Sequence, residues 1–128
     1  MDYHFSKTVP MEFQAAVEKV TAELKARGFG ILTQIDVRQT LKAKLDVDFR
    51  PYLILGACNP PFAYRALQAE DKIGTMLPCN VIVQQHADGT VEVSAVDPVA
   101  SMAAVGNAEL GAIADEVRSQ LRAVVDAV

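Results

Sequence analysis

Each of the two cysteines is followed by asparagine and lies beside proline, in "GACNPPFAYRAL" (56–67) and "LPCNVIV" (77–83). A thiol next to a carboxamide suits two kinds of chemistry. The sulfur is a nucleophile or redox group once it is a thiolate, and the amide can both donate and accept hydrogen bonds to a bound molecule. Cys58 precedes Asn59, a residue suited to cap a helix, so its sulfur lies near the positive end of that helix, which favours thiolate. Pro60 and Pro61 blunt the effect, because each lacks an N–H donor. The competing reading is packing, since free cysteine is commonly a small buried apolar residue. Asn59 as a cap, and Asn80 as a tie for backbone groups at a strand start, have structural explanations too. Arg50, in "DFRPY", could hold an anion together with Lys42, but a salt bridge to Asp46 or Asp48 is the expectation we favour. The candidate ligand-binding set is therefore Cys58, Asn59, Cys79, Asn80 and Arg50.

No metal or other cofactor is expected. His86 lies seven residues beyond Cys79 on one strand, about 23 Å away at about 3.3 Å per residue, and His4 belongs to a separate N-terminal strand. The C-x-x-C and H-x-x-x-H spacings of zinc sites are missing. So are a Ser/His/Asp set, a phosphate-binding glycine loop and a paired-acid motif. Glu12, Glu18, Glu23, Glu109, Glu116 and Asp126 fall on the polar sides of expected helices, which leaves Asp36, Asp48 and Asp97 near strand ends. A general base needs a pKa tuned by burial, and none of these positions suggests one, so no hydrolytic activity is expected. Tyr52 and Tyr64 read as core residues with a hydrogen-bonded hydroxyl at the rim.

The elements that must position the thiols follow from periodicity. Residues 2–8 alternate as a short strand. Pro10 suits a first helical turn, Phe13, Val17, Val20 and Leu24 repeat at helical spacing, and Gly28 stops that helix. "FGILTQI" (29–35) reads as a strand, and Asp36 caps a short helix carrying Val37, Leu41 and Leu45. "RPYLILGAC" (50–58) is an unbroken apolar run, as in a strand covered on both faces. Asn59 and Pro60 open a further short helix, and "EDKIGTML" reads as extended. "CNVIVQQ" and "TVEVSAV" are strands joined through Asp88-Gly89, a hairpin signal. After the Asp97-Pro98 turn and a helical "VASMAAV", Gly106 and Asn107 lead into a last helix with the stripe Leu110, Ile113, Val117, Leu121, Val124 and Val128.

This order predicts an α+β fold, β-α-β4-α in outline, with a mainly antiparallel sheet and two long helices on one face. In an antiparallel meander Cys58 ends one strand and Cys79 begins the next, so the two Cys-Asn segments should meet at one rim of the sheet and form the wall of any pocket. Cys58 should be the more reactive thiol. The apolar back of the central strand calls for cover, and a second copy of the chain is the economical partner.

Composition fits this picture. The chain has 128 residues, 51% hydrophobic and 22% charged, which suits one globular domain over 1–128. No apolar run is long enough for a membrane span, and "MDYHFSKTVP" lacks the pattern of a signal peptide. A cytoplasmic location is the expectation, with reduced thiols. The net charge of −4 and twelve scattered basic residues disfavour nucleic-acid binding.

The stretches "GFGILTQIDV", "TLKAKLDVDFRPYLILGACNP", "YRALQAEDKIGTMLPCNVIV" and "SAVDPVASMAAVGNAEL" resemble the family called domain of unknown function 302. The matching signature residues are Asp48, Phe49, Arg50, Pro51, Tyr52, Gly56, Ala57, Cys58, Asn59, Pro60, Pro78, Cys79 and Asn80. The resemblance implies a curved sheet in a β-α-β4-α layout similar to one repeat of the TATA-binding-protein fold, and a homodimer. It implies no activity, and likeness to a DNA-binding fold transfers none. Three functional readings follow. The first is a cytosolic homodimer binding a small molecule near the Cys-Asn segments. The second is a thiol-based redox or sulfur-handling protein using Cys58 and Cys79, and the third a protein-interaction module.

Overall fold

The computed structural model describes residues 2–128. Its strands are β1 (His4–Val9), β2 (Gly30–Asp36), β3 (Tyr52–Cys58), β4 (Cys79–Gln85) and β5 (Val91–Val96). Its helices are α1 (Phe13–Ala26), α2 (Val37–Leu45), α3 (Pro60–Ala69), α4 (Pro98–Met102) and α5 (Ala108–Ala127). The sheet runs β1-β5-β4-β3-β2, and every neighbouring pair is antiparallel. The expected α+β class with an antiparallel sheet is what the chain adopts.

Most elements start where their caps dictate. Asp36 accepts a hydrogen bond from the Gln39 N–H at 2.9 Å, Asn107 from Glu109 at 3.0 Å, and Asn59 from Phe62 at a long 3.5 Å. Gly28, at φ +83°, ends α1 in the left-handed conformation that glycine adopts at no steric cost. Two expectations need correction. Helix α1 begins at Phe13 rather than at Pro10, because the Glu12 carboxylate accepts the Ala15 N–H at 2.7 Å and caps the helix there. The segment 70–77 is not extended throughout. A 3-10 turn at Ile73–Met76 buries Ile73, and the Thr75 hydroxyl donates to the Lys72 carbonyl.

Strand alternation gives the sheet two unlike faces. Leu53, Leu55 and Ala57 of β3, Val81 and Val83 of β4, and Val91, Val93 and Ala95 of β5 are buried on the face that carries the helices. Val17, Val20 and Leu24 of α1 and Leu110, Val117, Leu121 and Val124 of α5 belong to the same core. The stripe expected for α5 is buried in full, Ile113 and Val128 included. The other face is open. Ile35, Ile54 and Ile82 stand in one cross-strand row there, continued by Ser94 and Ser6, whose hydroxyls bond at 2.7 Å.

The connection from β1 to α5 is also tied by charge. Lys7 Nζ donates to the carbonyls of Asp126 and Val128 at 2.9 and 2.8 Å, satisfying acceptors that the last turn of a helix leaves free. Among the described residues no helix is long and apolar enough to cross a membrane.

Candidate functional site

The two Cys-Asn segments are neighbours, as the meander argument predicts. Ala57 pairs with Cys79 and Gly56 with Asn80, so Cys58 stands one residue past the pair that holds Cys79. Both thiols are free. Their settings differ. Cys79 is buried on the helix-bearing face, whereas Cys58, the last residue of β3, is partly exposed. Burial, and after it the neighbouring Cys58, push the Cys79 thiol up to about 11 from 9.0, so it stays protonated at neutral pH.

Beside the thiols lies a cavity of about 300 Å³. The sheet contributes Leu32, Ala57, Cys58 and Cys79, and the approach to β4 contributes Leu77 and Pro78. Helix α3 supplies Phe62, Ala63, Ala66 and Leu67, while α4 and α5 supply Pro98, Met102, Ile113, Ala114 and Val117. Among the described residues that line it, Cys58, Cys79 and Met102 are the only ones whose side chains carry a heteroatom. The space exists because alanines face one another where α3 approaches α5 and the sheet. Leu32 reaches it through a bulge in β2, where the register against β3 slips between Ile31 and Thr33. Periodicity gave no sign of that bulge. Nor did residue type: the alanines that leave the space, Ala57, Ala63, Ala66 and Ala114, carry no sign of it in the sequence.

The other candidates fall elsewhere. Asn59 bridges α3 and α1: its Oδ1 takes the Phe62 N–H, and its Nδ2 lies 3.4 Å from the Arg27 carbonyl. Asn80 is exposed on the open face, beside Ile82, Gln84 and Tyr52. Arg50 lies past the opposite end of β3 from Cys58, beyond a strand of seven residues that spans about 20 Å. Its expected salt bridge to Asp46 or Asp48 does not form. Lys42 takes both carboxylates, at 3.0 and 3.4 Å, since Asp46 is its i+4 neighbour. Arg50 instead donates to Gln84 Oε1 at 2.9 Å, with its guanidinium over Phe49 and Tyr52. The tyrosines also depart from expectation. Tyr64 is 65% exposed on α3, and Tyr52 is half-buried on the open face beside that guanidinium.

His86 sits at the far end of β4 from Cys79, 3.4 Å from Glu92. Among the described residues no three His, Cys, Asp or Glu side chains are grouped to hold a metal ion. Asp97 is the buried acid, and its work is structural: Oδ1 accepts the Val99 N–H at 3.0 Å and caps α4, while Oδ2 faces Arg118 at 3.3 Å.

No curated protein matches the chain significantly. A crystal structure of an uncharacterized conserved protein DUF302 from Bacillus stearothermophilus is similar at 31% identity and a TM-score of 0.92, covering 98% of each chain. The model of the family described as "Domain of unknown function DUF302" matches residues 5–128. With the family model matched over nearly the whole chain and the fold shared, the chain belongs to the DUF302 family.

Proposed function

We propose that the protein binds a small apolar molecule in the cavity beside Cys58 and Cys79. The observation that carries this reading is the lining: about 300 Å³ bounded by hydrocarbon and sulfur, at the lower end of the size range of ligand sites. A polar ligand would leave its hydrogen-bonding groups unpaired there, at a cost of about 1–3 kcal/mol each. A flat hydrocarbon ring or a short alkyl chain meets no such penalty, and an apolar cavity of this kind holds no ordered water to displace. The test uses naphthalene as the probe and the Met102 methyl resonance as the reporter. Saturable shifts of that methyl are expected, and Ala63→Phe, which fills the space from α3, should abolish them without lowering the melting temperature. A Met102 methyl indifferent to naphthalene would refute the reading.

A thiol-based role is the second reading, supported by the partial exposure of Cys58 where it borders the cavity. The same titration separates the two. A ligand that merely fills the cavity slows alkylation of Cys58, whereas a sulfur-handling protein purified without reductant carries extra mass on that residue. Two free cysteines suit a cytoplasmic location, where thiols stay reduced.

We also assign the open sheet face to a second copy of the chain rather than to a different protein. The row of Ile35, Ile54 and Ile82 supports this, with Ile35 still 48% exposed.

A further inference from the structure

A second recess, of about 260 Å³, lies where β1 meets α4 and α5, and its chemistry is the reverse of the thiol cavity. Arg118 and Arg122 occupy consecutive turns of α5 and both stand over the Phe5 ring, at 5.6 and 4.5 Å from its centroid. Like charges four residues apart on a helix repel. One carboxylate, Asp97, answers the pair, and it reaches only Arg118. Among the described residues Arg122 has no acid within ion-pair distance. The Arg118 Nε is buried, and although Asp97 Oδ2 is 3.3 Å away it lies off the line of a hydrogen bond, so that donor has no aligned acceptor. Phe5 holds both guanidiniums in place before anything binds. His4 borders the recess with Nδ1 already bonded to Ser6 at 2.8 Å. Asp2, exposed at the rim, is the one group that opposes an anion without a cation partner of its own.

We propose that this recess binds a small oxyanion, a carboxylate or phosphate group, between Arg118 and Arg122. Guanidinium is the side chain whose planar fork matches such groups. An anion there neutralises Arg122, which has no acid within ion-pair distance among the described residues, and relieves its repulsion with Arg118 one turn away. The site stands apart from the thiol cavity in its residues and in its chemistry, so either can fail without the other.

The experiment follows the arginine Nε–H resonances by NMR while inorganic phosphate or, in parallel, acetate is added at a constant ionic strength of about 0.1 M, where charges are screened beyond about 10 Å. Saturable shifts of Arg118 and Arg122 are expected, with chloride producing none; the anion that saturates at lower concentration identifies the class. Arg122→Gln changes an exposed side chain and should weaken binding about tenfold, the worth of one charge-assisted hydrogen bond. Asp97→Asn keeps a good capping residue but removes the competing charge, and should tighten binding. Backbone amide spectra confirm that both variants fold. The proposal is overturned if neither oxyanion saturates, if chloride acts as phosphate does, or if either variant binds as the parent does.

Discussion

Cys58 and Cys79 differ by one step of register and by their access to water, and that difference is measurable. With its thiol pushed up to about 11, Cys79 holds only about one thiolate in a thousand at pH 8. Iodoacetamide at that pH should therefore label Cys58 first, with Cys79 following only on unfolding; equal labelling in the native protein would contradict this. The same displacement predicts a pH dependence of stability. The folded thiol titrates above its unfolded value of 9.0, so between about pH 9 and 11 the unfolded chain loses a proton that the folded chain keeps. The stabilisation is whole below pH 9 and disappears as pH rises through about 11, amounting to on the order of 2–3 kcal/mol for a shift of about two units. Denaturant melts of Cys79→Ala should lack that component of the alkaline decline.

At the scale of the elements, the join of β2, β3 and β4 is held by a missing side chain. A Cβ on Gly56 would lie 2.1 Å from Thr33 Oγ1 and 2.8 Å from Pro78 Cγ, closer than atoms can stand. Gly56→Ala should lose about 1–3 kcal/mol to overpacking, and Thr33→Ala in the same chain should restore part of it; no recovery in the double variant would locate the strain at Pro78 alone. How much of this was legible in sequence depends on the range of the interaction. The caps at Asp36, Asn59 and Asn107 and the stripe of α5 are set by residues within a turn of one another, and each was readable. So was the meeting of the two Cys-Asn segments, because the antiparallel connection of β3 to β4 admits one geometry. The bulge that sends Leu32 to the cavity, and the exchange in which Lys42 takes the acids expected for Arg50, depend on strands and side chains distant in sequence. The alanine-lined cavity is a gap between helices, and no residue type announces a gap.

For the molecule as a whole, the two faces of β3 make opposite predictions. Leu55 is 0% exposed on the helix-bearing face, so Leu55→Glu buries a charge and should unfold the chain rather than probe association. Ile54→Glu, on the open face, should leave a folded monomer where light scattering of the parent at micromolar concentration finds a dimer. A parent that scatters as a monomer removes the pairing. The sheet also closes between distant parts of the chain, since β1 adds to β5 across 88 residues at the Ser6–Ser94 contact. Contacts of such separation carry the largest loop-closure cost, and an edge strand has a neighbour on one side only. β1 is thus the element whose amides should exchange with deuterium first, ahead of β3 and β4. Lys7 makes that opening a shared event. When β1 lifts, it withdraws the ammonium group from the Asp126 and Val128 carbonyls, and the last turn of α5 frays with it. Lys7→Met should separate the two exchange rates, turning one cooperative unit into two.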